Sequence, residues 1–242
     1  MITVDGKPVG PLPPPGLNTY GHYSAMQVRA RKVRGIALHL TRLREATAEL
    51  FDQTLDDARV RRYLRDALRD TPDASANVYV YAGPTVIVAV QPPAPTPSPR
   101  RLRSVPYQRP VAHLKHLGSF AQVYHGRQAV RDGFDDALLT GPGGVVSEAA
   151  IANIGFFADG ADVVWPDAPQ LPGITMQLIE PRLESRRKPV HLADLRNYAG
   201  AFVTNSHGVA PVTQIDEVRL PVPADRMKAL VAAYDSVPWD DI

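Results

Sequence analysis

In the segment VAHLKHLGSF, residues 111–120, one lysine, Lys115, stands between Leu114 and Leu117. The chain otherwise takes its positive charge mainly from arginine, with 22 arginines and only five lysines. Arginine stays charged nearly everywhere, whereas a lysine in apolar surroundings gives up its proton more readily and becomes an amine nucleophile or base. A surface lysine whose leucines face the other way would have the same local sequence, so Lys115 alone leaves both readings open. His113 and His116 flank it, but a metal site ordinarily needs a third protein ligand and none is evident, so no metal is expected. Ser206 lacks the Gly-x-Ser-x-Gly setting of a hydrolase nucleophile. GPGGVV, residues 141–146, lacks the lysine and hydroxyl of a phosphate loop and the spacing of a dinucleotide site, and reads as a turn. There is no cysteine, which removes disulfides, thiolate zinc sites and thiol nucleophiles together.

With 242 residues, the chain can form one large domain or two small ones, and 44% hydrophobic with 21% charged content is ordinary for a soluble globular protein. The formal net charge is only +2 and RVRRYLRDALRD is the densest basic run, so nucleic acid is not an expected partner. No run of about 18 apolar residues occurs, and MITVDGKPVGPLPPPG has neither the apolar segment nor the cleavage site of a leader. No membrane association and a cytoplasmic location are expected.

The elements around Lys115 follow from patterning. After a Pro-rich start, TYGHYSAMQVRARKVRGIALHL predicts two extended segments around a RARKVR turn. LTRLREATAELF and TLDDARVRRYLRDAL have helical apolar spacing, with Thr54 and Asp57 placed as a capping pair. NVYVYAG and TVIVAVQ predict a β-hairpin through Gly83-Pro84. QPPAPTPSPRR holds five prolines in eleven residues and reads as a stiff connector. Residues 1–91 are therefore expected to form a small domain, 92–99 a linker and 100–242 a larger domain. The second half begins with LRSVPY, continues through a helix over AQVYHGRQAVRDG and turns to strand with DDALLT, and SEAAIANIGFFADG reads as one extended run. ITMQLIEPRLES reads as a helix ended or kinked by Pro181, AGAFVTNS as a buried strand and ADRMKALVAAYDSV as a closing helix. Strands and helices interleave without a regular βαβ period, which favours an α+β arrangement in two parts.

Taken in order, LKHLGSF, the following helix, GFDDALLT, GPGGVVSEAAIANIGFF and WPDAPQLPGITMQLI resemble the pyridoxal-phosphate enzymes of fold type IV. These are the class IV aminotransferases, which include branched-chain and D-amino-acid aminotransferases and aminodeoxychorismate lyase. ALHLTRLREATAEL resembles the family's helix beginning His-x-x-Arg-Leu, and FVTNSHGVAPVTQID its last active-site loop, so the likeness spans residues 36–216. It implies that Lys115 forms the Schiff base with pyridoxal 5'-phosphate and that Glu148 sits against the pyridine nitrogen, keeping it protonated so that the ring can accept electrons. It implies further that Arg42 holds the phosphate with its planar fork, that Gly173, Ile174 and Thr175 offer helix-start N–H groups to the same anion, and that Asn205 and Ser206 add donors.

The chain also departs from that pattern. YGHYSAMQVR stands where relatives carry an acidic Gly-Asp-Gly-x-x-Glu segment, the second hairpin lacks an Arg-Gly-rich loop, Phe120 stands at a position that is Tyr in branched-chain aminotransferases, and Met176 replaces a frequent arginine. The cofactor half of the site is kept and the substrate half rewritten. The expected activity is amino transfer between a small amino acid or amine and a keto acceptor, with Lys115 as tether and general base. The alternatives are a lyase resembling aminodeoxychorismate lyase, which releases pyruvate, and a relative that binds without turnover. The likeness also implies a homodimer, for which Tyr20, Tyr23 and Met26 beside Arg29 and Arg31 are the expected interface residues.

Overall fold

The computed structural model describes residues 2–4, 7–9, 19–160 and 162–242; the Pro-rich stretch at 11–16 lies outside the described residues. Among the described residues, strands β1 (Ile2–Val4) and β2 (Lys7–Val9) pair only with each other. The expected first hairpin is β3 (His22–Arg29) and β4 (Lys32–Arg34), joined by Ala30 and Arg31 at φ 48° and 63°. Two left-handed residues in a two-residue loop match the right-handed twist of the strands.

Helix α1 (Ile36–Phe51) begins before LTRLREATAELF because Ile36 and His39 already belong to its buried face with Leu40, Leu43, Ala46 and Thr47. Helix α2 (Asp57–Leu68) buries Val60, Leu64 and Leu68. Its cap is Asp56, whose carboxylate accepts from Ala58 N–H at 2.9 Å, and not the expected Thr54–Asp57 pair. Asp57 instead turns to Arg44, 2.7 Å away. Strands β5 (Ala74–Tyr81) and β6 (Thr85–Gln91) form the second hairpin, and β3 pairs with β5 in register Tyr23↔Tyr79 and Ala25↔Asn77. Both helices pack on this sheet through Met26, Val28, Leu43, Leu64 and Val78.

After residues 92–99, which form no helix or strand, β7 (Arg100–Val105) runs parallel to β8 (Asp136–Thr140), with α3 (Phe120–Arg131) in the connection that parallel strands require. The run expected as one strand over SEAAIANIGFFADG is two, β9 (Val146–Ala149) and β10 (Asn153–Phe157). The chain reverses at 150–152, where Ala149 N–H donates to Ala152 C=O at 2.8 Å. That reversal puts β9 beside β8 and β10 in the middle of the same sheet. Next come β11 (Val163–Pro166), α4 (Ile174–Ile179) and β12 (Ser185–Lys188). Pro181 lies in a short 3-10 turn after α4, so the helix stops where proline demands. Strands β13 (Gly200–Asn205), β14 (Gly208–Ile215) and β15 (Val218–Arg219) complete a nine-stranded sheet, covered in part by α4 and α5 (Ala224–Asp235) around Trp165, Phe202, Met176 and Leu230.

The last strand, β16 (Trp239–Asp241), returns to pair with β4, so the chain's end lies in the five-stranded sheet β16-β4-β3-β5-β6 and not with residues 100–235. Arg34 clamps this return, its guanidinium 4.5 Å from the Tyr234 ring centre and 4.6 Å from that of Trp239. The architecture is α+β, built on two large sheets with separate apolar clusters. No helix among the described residues is long and apolar enough to cross a membrane.

Candidate active site

A cavity of about 470 Å³ is lined by residues of both sheets. Arg42, Lys115, Glu148, Gly173, Ile174, Thr175, Asn205 and Ser206, scattered through the sequence, all line it. Lys115 lies on the loop between β7 and α3, anchored to β3 by Tyr23 N–H donating to its carbonyl at 3.0 Å. Its amine rests 4.6 Å from the centre of the Tyr23 ring, which stacks on Tyr79. The residue touches the cavity and is not sealed from it, but protein atoms crowd the amine. Loss of hydration lowers it to about 7; the cations of Arg42 and Arg109 push the same way and Glu148 opposes them. An aromatic face beside an amine favours the ammonium, so Tyr23 moderates this shift.

Glu148, on β9, is buried. Its Oε1 lies 3.2 Å from Arg109 Nε and its Oε2 accepts from Leu171 N–H at 3.2 Å. Burial nevertheless outweighs these contacts and raises its carboxyl above the usual range. Arg109 also donates to Ala112 C=O, which ties it to the Lys115 loop. Arg42, on the cavity side of α1, donates to Ser24 Oγ, and burial lowers its guanidinium to about 10, far enough above neutrality that it stays charged.

The start of α4 faces the cavity with Gly173, Ile174 and Thr175. The first N–H groups of a helix have no acceptor within it, so they remain for an outside anion. Gly173 is required there because an added Cβ would fall 1.9 Å from Asn153 Oδ1. Thr175 Oγ1 donates to Asn205 C=O at 2.6 Å, joining the helix start to the end of β13, where Asn205 Oδ1 accepts from His207 N–H at 2.8 Å. The neighbouring histidines have other partners: His113 meets Glu49 at 2.8 Å and His116 meets the Pro110 carbonyl at 3.2 Å. Among the described residues no group of three His, Asp or Glu could hold a metal.

Sequence patterning missed Arg109, Tyr23, Ser24 and His39. Arg109 left one trace, a lone arginine between Pro106 and Pro110 shortly before Lys115. Of the expected interface residues, Tyr20 is 59% exposed, Tyr23 lines the cavity, and Met26 is 1% exposed in the core under α1.

The chain belongs to the class IV aminotransferases, whose family pattern matches residues 21–215. It is thus an enzyme of the pyridoxal 5'-phosphate-dependent kind. No curated protein matches its sequence. Solved structures with the same fold include a protein of Legionella pneumophila assigned as a 4-amino-4-deoxychorismate lyase, 18% identical over 97% of each chain with a TM-score of 0.86. A hypothetical aminotransferase of Mycobacterium tuberculosis, solved with pyridoxal phosphate, is 22% identical over 97% of this chain and 95% of its own, with a TM-score of 0.82. The branched-chain amino acid aminotransferase of Escherichia coli is 19% identical over 90% and 85%, with a TM-score of 0.77.

The residues present fit the cofactor. Glu148 Oε1 is a buried acceptor without a directed hydrogen bond, which a protonated pyridine nitrogen would supply, and Arg42 Nε is a buried donor in the same condition.

Proposed function

We propose that this enzyme transfers the amino group of a small amino acid or amine to a keto acceptor, with Lys115 as cofactor tether and general base. The observation that carries the reading is the convergence on one cavity of a lysine lowered to about 7, a buried carboxylate, a guanidinium and a helix start. Bound pyridoxal phosphate supplies the aldehyde that accepts the amino group and a ring that takes up electrons from the substrate Cα–H bond. Lys115, whose amine burial lowers to about 7, can take the Cα proton and return it. Glu148 faces the pyridine nitrogen, and Arg109 supports its ionised form despite burial. Arg42 and the Gly173–Thr175 N–H groups hold the phosphate, with Asn205 and Ser206 on the adjoining loop.

A homodimer belongs to this proposal, through a different surface from the one first expected. Phe120 (83% exposed), Tyr124, Val130 and Ile151 are exposed apolar side chains on α3 and the 150–152 turn. Ile151 also lines the cavity, so a second copy seated on these side chains would close its mouth. Light scattering should give twice the 26.4 kDa of one chain, and Phe120→Asp with Tyr124→Asp should give monomers of reduced activity.

The deciding experiment mixes the purified holoenzyme with amino donors. Conversion of the cofactor to its pyridoxamine form supports transfer. Pyruvate released from aminodeoxychorismate without that conversion establishes the lyase alternative, and no reaction with any donor supports a relative that binds without turnover.

A further inference from the structure

Four polar side chains, His22, Ser24, His39 and Thr47, are buried between β3 and α1, beside the apolar packing of Met26, Val28, Leu40 and Leu43. Polar groups so placed are costly unless paired, so their pairing is informative. Thr47 donates to the Leu43 carbonyl at 2.8 Å and therefore accepts from His22 Nε2 at 3.0 Å; this chain ends inside α1. The second chain leads to the cavity. Arg42 donates to Ser24 Oγ, and a guanidinium cannot accept, so the serine's own proton goes to His39 Nδ1, 2.7 Å away. The His39 ring then accepts at Nδ1 and carries its hydrogen on Nε2. Burial, with Arg42 and Lys115 nearby, holds that ring in its neutral form. His39 and Arg42 both line the cavity, whereas Ser24 does not.

We propose that Ser24 is a positioning residue for the cofactor's phosphate: bonded at once to Arg42 and His39, its hydroxyl aims the guanidinium and fixes His39 as an Nε2–H donor on the cavity wall. The inference rests on the reading of Arg42 as a phosphate ligand. A guanidinium on a flexible stem must be ordered before it binds, and ordering it in advance removes that cost from binding. Replacing the hydroxyl frees Arg42 and lets the His39 ring change tautomer or turn. A serine that merely satisfied buried partners would affect folding, with no preference for one ligand over another.

The test compares pyridoxal 5'-phosphate with pyridoxal, which lacks only the phosphate. Both react with Lys115 and face Glu148, so those contributions cancel in the ratio of their affinities for the apoprotein. For Ser24→Ala we expect pyridoxal phosphate affinity to fall about tenfold, the loss of one charge-assisted contact, with pyridoxal affinity unchanged. Ser24→Thr, which keeps a hydroxyl, should recover most of the preference. If Ser24→Ala fails to fold, Ser24→Cys carries the same comparison, because a thiol is close in size and a poor hydrogen-bond partner. Equal weakening of both ligands, or an undiminished preference for the phosphorylated one, overturns the role of Ser24. A native apoprotein that binds neither ligand overturns the reading of the site itself.

Discussion

Glu148 and Arg109 meet at 3.2 Å with side chains only 6% and 4% exposed, so each neutralises a charge that the other's burial would otherwise penalise. Removing one partner of such a pair costs about 3–5 kcal/mol, because the remaining charge stays buried and alone. Arg109→Met should therefore lower stability by that amount in urea denaturation. Replacing both residues, Arg109→Met with Glu148→Leu, should recover most of it while abolishing cofactor function. A single replacement without loss would show that the pair is not a coupled unit.

Asp136, at the start of β8, gives a stability trend opposite to the usual carboxylate. Burial raises it from 3.8 to about 6, although Ala137 N–H donates to it at 2.8 Å. Between those values the folded chain binds more protons than the unfolded chain, so this residue makes stability fall as pH rises from about 4 to 6. Two units correspond to about 3 kcal/mol. His22, lowered to about 4, acts over the same range with the opposite sign, so the two partly cancel in the native protein. Asp136→Asn should remove only the first contribution, raising stability at pH 7 relative to its value at pH 4. Parallel denaturation profiles for the variant and the native chain would contradict this.

The sequence pointed to many of the residues that line the candidate site's cavity, because they sit beside turns that glycine and proline mark. Arg109 was not among them, because its partner Glu148 lies 39 positions later and only the curled sheet brings them together. The core position of Met26 on β3 was hidden for a physical reason. The strand's core-facing positions include His22 and Ser24, which pair with Thr47 and His39, so the polar and apolar alternation that normally sets strand orientation was disguised. Met26 then seemed free for an interface. The β16–β4 pairing was hidden because a three-residue strand carries no period and its partner lies more than 200 positions away.

Gly173 is held by sterics. The Asn153 side chain that a Cβ would strike donates at 2.9 Å to Gln170 Oε1 and at 2.7 Å to Leu171 C=O, so it cannot retreat without breaking both bonds. Gly173→Ala should cost about 1–3 kcal/mol and also weaken cofactor binding, because the same shift moves the start of α4. Thermal melts of the apoprotein and cofactor titrations check the two effects separately.

Arg42→Ala should weaken pyridoxal phosphate binding ten- to a hundredfold, about 1.5–3 kcal/mol for a charge-assisted contact. Arg42→Lys should recover only part of this, since a point charge replaces a planar fork. Unchanged affinity in equilibrium dialysis would remove Arg42 from the phosphate site.

The central claim is that Lys115 carries the cofactor, and the most direct measurement is borohydride reduction of the holoenzyme followed by peptide mapping. The label should appear on the peptide covering residues 111–126 and vanish in Lys115→Ala. Labelling at Lys7, Lys32, Lys188 or Lys228, or at no lysine, would contradict the account.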